Sequence, residues 1–117
     1  MPALLFAVAI FLGSSIPGPE MPKLVLSVPD KILHVCEYSL FAFLICRAVK
    51  NQNHMQGIAR FAIIFTILCA SAYAASDEFH QSFVPGRTMD VFDWLADTIG
   101  AFIGAGVGTW MYKNSKP

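Results

Sequence analysis

Four apolar stretches, Pro2 to Ile16, Ile32 to Val49, Ile58 to Ser76 and Val91 to Tyr112, alternate along the chain with short segments of charge and turn chemistry. The separators read "PGPEMP", "KNQNHMQG" and "FVPGR", each rich in the residues that stop a helix or bend the backbone. Crossing a bilayer as a helix takes about 20 mostly apolar residues. With their polar ends included, the stretches predict helices over about 2–16, 32–49, 58–80 and 90–112. The expected fold is therefore all-α, a polytopic membrane protein with a bundle of four transmembrane helices, and residues 1–117 form a single domain.

The first stretch is short. At about 1.5 Å per residue it reaches only about 22 Å, so tilting or local thinning of the bilayer is expected. No Lys or Arg precedes it and no A-x-A-like site follows, so a retained helix is expected in place of a cleaved signal peptide.

Composition agrees: 56% of the 117 residues are hydrophobic and 14% are charged, with a formal net charge of +0. This balance makes the lipid bilayer the first partner and leaves nucleic-acid binding without support, since no basic aromatic module is present. Cys36, Cys46 and Cys69 all fall in apolar stretches and show no disulfide or zinc spacing, which suits thiols packed as small hydrophobes.

Cationic side chains set the expected orientation. With four spans, Arg47, Lys50, Arg60, Lys113 and Lys116 share one side, and Lys23, Lys31 and Arg87 the other. The bias predicts N-in and C-in topology in the cytoplasmic membrane. The acids are more lopsided: Glu20, Asp30, Glu37, Asp77, Glu78, Asp90, Asp93 and Asp97 all lie at or near the outer ends. Acids contribute little to orientation, so this asymmetry points to architecture or function. His54 falls in the inner polar loop and is expected to be solvated.

Helical spacing groups those acids. Asp30, His34 and Glu37 recur at i, i+4 and i+7, with Lys31 and Tyr38 beside them, and so line one face. Ser71, Ala74, Glu78 and Gln81 make a second stripe, small below and polar above. Asp90, Asp93 and Asp97 run into Gly100, Gly104 and Gly108, an acidic row continued by a G-x-x-x-G-x-x-x-G seam. Glycine seams let helix backbones approach closely in lipid, so the carboxylate row must face other helices too. An acidic side chain near the centre of a span costs roughly 2.5–3.5 kcal/mol. Three polar stripes are thus expected to converge in one candidate pocket: Asp30, Lys31, His34, Glu37, Tyr38, Glu78, Gln81, Arg87, Asp90, Asp93 and Asp97. Arg87, the one cation between Asp77 and Asp97, is expected to turn back over the pocket and pair with Glu78 or Asp93.

The competing explanation is a structural ion network that locks the helices together. His34, Glu37, Glu78, His80 and the aspartates also offer metal donors, but their spacing matches no specific zinc motif. No bound metal and no cofactor are expected. Trp94, Trp110 and Tyr112 read as interfacial anchors.

These residues resemble the VanZ-like family of small bacterial membrane proteins. Asp30, Lys31, His34 and Tyr38 match its D-K-x-x-H-x-x-x-Y element. Glu78, Gln81, Phe83, Pro85 and Arg87 match E-x-x-Q-x-F-x-P-x-R, and Asp93, Gly100 and Gly104 match the closing D-x-x-x-N-x-x-G-x-x-x-G. Asp97 stands where that family usually carries Asn, and Phe41-Ala42 replace what is often Leu-Gly. The family is named for a member associated with resistance to the glycopeptide teicoplanin, which implies an envelope-related role. The resemblance supplies no reaction.

Three functions follow as alternatives. An outward pocket binds a lipid-linked cell-wall component or a glycopeptide, with Lys31 and Arg87 suited to its anionic groups. An intramembrane enzyme uses His34 or Glu78 as general base. A helical bundle acts structurally or stabilises a partner. The sequence leaves the oligomeric state open.

Overall fold

The computed structural model describes residues 2–17, 29–51, 61–87 and 90–115. Among them the chain forms four helices: α1 (Pro2–Ser14), α2 (Asp30–Asn51), α3 (Ala62–Gln81) and α4 (Val91–Ser115). Three of them, over Lys31–Asn51, Ala62–Gln81 and Val91–Tyr112, are long and apolar enough to cross a membrane, and Pro2–Ser14 is a shorter apolar helix. The all-helical, four-helix reading of the sequence holds. Glu20, Lys23, His54, Arg60 and Lys116, and the expected start of the third helix at residue 58, lie outside the described residues.

Local chemistry sets the helix ends. Pro2 opens α1, where its missing N–H has no intrahelical partner to lose. Ser14 and Ser15 close it by donating their hydroxyls to the Phe11 carbonyl, at 2.9 and 2.8 Å, alongside the Ser15 backbone N–H at 3.1 Å, so that the last turn concentrates its donors on one carbonyl near the helix end. The Pro29 carbonyl accepts from the backbone N–H groups of Ile32 and Leu33 and so starts α2. After α3 the chain turns at Val84–Arg87, where Pro85 and Gly86 take the two central positions. Gly86 has φ 75°, and the Arg87 N–H donates to the Val84 carbonyl at 3.1 Å. A type II turn needs a positive φ at its third residue, which glycine adopts without strain. Asp90 then caps α4, accepting the Phe92 N–H on Oδ1 at 2.8 Å.

The packing is small and polar within, large and apolar without. Ala42, Ala70, Ala74, Ala101 and Ala105 are fully buried, whereas Leu5, Leu68, Phe92 and Trp110 are each at least 65% exposed. That inversion suits a lipid surround, where close backbone approach rather than exclusion of apolar groups from water drives helix association. The most extensive interface joins α2 to α4. There, Gly100 lies against the backbone of Val35 and Ser39, Gly104 against that of Ser39 and Phe43, and Gly108 against the side chains of Cys46 and Phe43. The residue order shows that α2 and α4 run parallel, with α3 between them in the chain. Phe41 fills the space toward α1 and α3, with ring centroids 6.1 Å from Phe6, 5.7 Å from Tyr38 and 5.2 Å from Tyr73.

Candidate functional site

The parallel register of α2 and α4 brings the two polar rows into contact at one end of the bundle. Lys31 Nζ lies 3.1 Å from Asp90 Oδ2 and 2.5 Å from Asp93 Oδ1. One turn deeper, His34 sits between two carboxylates, with Nδ1 2.7 Å from Asp97 Oδ1 and Nε2 3.7 Å from Asp93 Oδ2. A spacing of three to four residues on both helices keeps the pairs in step. Burial grows along the row: the side chains of Asp90, Asp93 and Asp97 are 39%, 9% and 0% exposed.

α3 supplies the third wall. Glu78 is buried, and its Oε2 accepts the Asp90 backbone N–H at 3.2 Å, tying the end of α3 to the cap of α4. Gln81 is buried as well and donates its Nε2 to Asp77 Oδ2 at 3.4 Å. Glu37 is half-buried, within electrostatic reach of His34, Asp77, Asp97 and Arg87. Tyr38 is fully buried. Asp30 is the first residue of α2, and its side chain lies outside the described ones.

Among the described residues, four buried side-chain atoms have no hydrogen-bond partner: Tyr38 Oη, Thr66 Oγ1, Glu78 Oε1 and Asp97 Oδ2. Three of the four belong to the candidate pocket. An unsatisfied buried polar group costs roughly 1–3 kcal/mol, and more when it is charged. At the rim the electrostatics differ. Asp90 holds its carboxyl below the usual carboxylate range because the Phe92 N–H donates to it and the Lys31 ammonium sits beside it.

Arg87 also ties the turn after α3 to the end of α1. Its Nε donates to the Ile16 carbonyl at 3.1 Å and its Nη2 to the Gly13 carbonyl at 3.2 Å, so the planar fork grips the C-terminal end of α1. Lys31 places its ammonium on Asp93, and the Asp90 N–H donates to Glu78. Carbonyls at a helix C-terminus carry partial negative charge and lack intrahelical partners, and the Pro85-Gly86 turn aims Arg87 at them.

Several residues in this region were not among the sequence candidates. Asp77 is buried; it follows Ala70 and Ala74 at helical spacing, so the same periodicity that places Glu78 on an inner stripe also places Asp77 inward. Tyr73 donates to the Ala7 carbonyl at 2.5 Å, and Ser15 Oγ and His80 Nε2 are hydrogen-bonded at 2.9 Å. Together with Arg87 these bonds dock α1 on α3. No periodicity within either helix announces such pairs. Trp94, expected as an interfacial anchor, braces α4 against α3, donating Nε1 to the Ser71 carbonyl at 3.0 Å. The groove at the other end of the bundle is lined by Phe43, Arg47, Asn51, Gly108, Met111 and Tyr112, without a carboxylate.

A family model described as VanZ/LLP1 matches residues 3–112, essentially the whole chain. Neither a curated protein nor a solved structure matches it.

Proposed function

The chain belongs to the VanZ/LLP1 family, and on that premise we propose that it binds an envelope ligand in the polar pocket at the Asp90 end of its membrane-embedded bundle. The membrane is the cytoplasmic one, both termini face inward, and the pocket opens outward. The ligand class is a lipid-linked cell-wall component or a glycopeptide, the class suggested by the teicoplanin association. The observation that carries this reading is the set of unpartnered buried oxygens on Tyr38, Glu78 and Asp97. A network built only to lock helices would be expected to satisfy its own polar atoms. Intramembrane ionisable groups are functional candidates by default.

Deletion of the gene, followed by growth on glycopeptides and other wall-directed agents, tests the role. Sensitisation to at least one class, restored by the wild type but not by Glu78→Gln at normal membrane abundance, is expected. An unchanged profile across the panel overturns the reading in favour of a structural bundle. The orientation is tested with Asn53→Cys and Ser82→Cys in a background in which Cys36, Cys46 and Cys69 are replaced. An impermeant thiol reagent on whole cells should label position 82 and spare 53, and the reverse pattern inverts the topology.

A second reading has its own observation. His34 lies between Asp93 and Asp97, the arrangement of a general base oriented by a carboxylate. An enzyme of this kind loses turnover with His34→Gln while still binding its ligand. A binding pocket loses affinity in graded steps across the whole set.

A further inference from the structure

One ligand atom each from His34, Glu78 and Asp97 can be chosen so that all three lie within 4.8 Å of one another. The residues come from three different helices, so no spacing along a single helix reports the set. Glu78 and Asp97 are 3% and 0% exposed, and each keeps a carboxylate oxygen with no hydrogen-bond partner among the described residues. Two buried carboxylates and one imidazole that converge from three sides, with acceptor capacity left over, ask for a cation at their centre.

We propose that His34, Glu78 and Asp97 hold a divalent transition-metal ion of the zinc or manganese class. Metal–ligand bonds of about 2.0–2.2 Å at tetrahedral angles set ligand atoms roughly 3.3–3.6 Å apart, so donors within 4.8 Å of one another close on an ion with at most about 1.5 Å of combined side-chain movement. Two carboxylates and a neutral imidazole carry charge −2, which a divalent ion cancels inside a low-dielectric bundle. The imidazole nitrogen argues against magnesium and calcium, which prefer oxygen donors.

The surroundings fit the same assignment. Nδ1 of His34 faces Asp97, and Nε2 faces Asp93 at 3.7 Å. A metal on Nδ1 leaves Nε2–H directed at Asp93, and a slightly closer approach of the two would complete the carboxylate–histidine–metal arrangement that orients a ligating ring. Lys31 holds that carboxylate in place. Three protein ligands leave at least one coordination position for an outside donor. The assignment goes beyond the proposed envelope role and does not depend on the identity of any envelope ligand, because the metal alone is the probe.

The test uses the full chain purified in detergent, stripped with a chelator and titrated with Co²⁺, read by visible absorption. Zn²⁺ content after desalting is measured in parallel. About one ion per chain is expected, with a rise in the wild-type melting temperature on metal addition. Asp97→Asn and Glu78→Gln should each weaken Co²⁺ binding by at least about tenfold, with helical content by circular dichroism matching the wild type. His80→Ala, which removes the histidine bonded to Ser15, should bind as the wild type does. Folded wild type that takes up less than about 0.1 ion per chain overturns the site, as does undiminished binding by Glu78→Gln or loss of binding with His80→Ala. If Asp97→Asn does not fold, Glu78→Gln and the wild-type stoichiometry decide. Wild-type uptake at one ion per chain in a protein whose deletion leaves wall-agent sensitivity unchanged retains the metal site and discards the envelope role.

Discussion

The two halves of the α2–α4 interface share one helix pair and one periodicity, yet they are held by different physics. Toward Asp90 the helices meet through side chains that reach across the gap: Lys31 to Asp90 and Asp93, and His34 to Asp97. Toward Gly108 they meet nearly backbone to backbone, and a Cβ added at Gly104 would fall onto the Ser39 carbonyl oxygen. The first contact depends on charge and leaves polar atoms over; the second depends on the absence of side chains and leaves no room. In lipid the close contact gains dispersion and the polar contact carries a desolvation cost. The glycine half is therefore expected to be the less tolerant of added volume, and the carboxylate half to depend on keeping its pairs intact and to govern function.

The strongest break in that contrast is Gly104→Leu. A branched side chain cannot occupy the Ser39 backbone position, so loss of most of the folded protein is expected, read as membrane abundance and as melting in detergent. Gly100→Ala meets the Val35 carbonyl oxygen and the Ser39 nitrogen and should cost on the order of 1–3 kcal/mol through overpacking. Gly108→Ala meets only side chains, Cys46 at 3.2–3.3 Å and the Phe43 ring at 3.6 Å, and should cost less. Gly106, with nothing within 4 Å of an added Cβ, is the control, and Gly106→Leu should leave abundance unchanged. A flat response across the four positions would remove the seam from the account.

In the polar half, Asp97→Ala strips His34 of its deepest partner. Breaking a buried pair from one side costs about 3–5 kcal/mol, so a clear fall in melting temperature is expected. Asp97→Asn keeps an oxygen for His34 and should melt much closer to the wild type. If the two variants melt alike, the His34–Asp97 contact contributes nothing to the bundle.

A smaller effect is expected at Arg87. Arg87→Lys keeps the charge but cannot span the Gly13 and Ile16 carbonyls with one planar group, so the hold on α1 should loosen. Disulfide trapping between α1 and α3, with Ala7 and Tyr73 each changed to Cys in the cysteine-replaced background, measures it. Slower trapping with Arg87→Lys is expected, and an unchanged rate makes the clamp incidental.

The smallest effect belongs to the exposed rim. Asp90 has a folded pKa below its unfolded value near 3.9, so its contribution is complete above that value and is lost as the pH falls through the lowered one. The melting temperatures of wild type and Asp90→Asn should differ slightly at pH 7 and converge below about pH 4. A gap that widens toward acid would reverse the assignment.

Much of this was legible in the sequence because it is local. Apolar run length and the Pro, Gly and Asn-rich separators mark the helices. A period of three to four residues places Lys31, His34 and Tyr38 together, Glu78 with Gln81, and Asp90, Asp93 and Asp97 in line with Gly100, Gly104 and Gly108. Membership of one face follows from the helix repeat alone. So does the requirement that the glycine seam and the acidic row look toward the same neighbour.

Only the tertiary structure decided who meets whom. Lys31 meets Asp90 and Asp93 because α2 and α4 run parallel with their polar ends level, and the Pro85-Gly86 turn carries Arg87 to the end of α1. The convergence of His34, Glu78 and Asp97, the burial of Asp77 and the Tyr73–Ala7 bond arise in the same way. Each joins positions on different helices, and the shift between two helices is set by the summed packing of their whole faces. A helix repeat fixes angles around one axis and says nothing about the displacement of that axis along another.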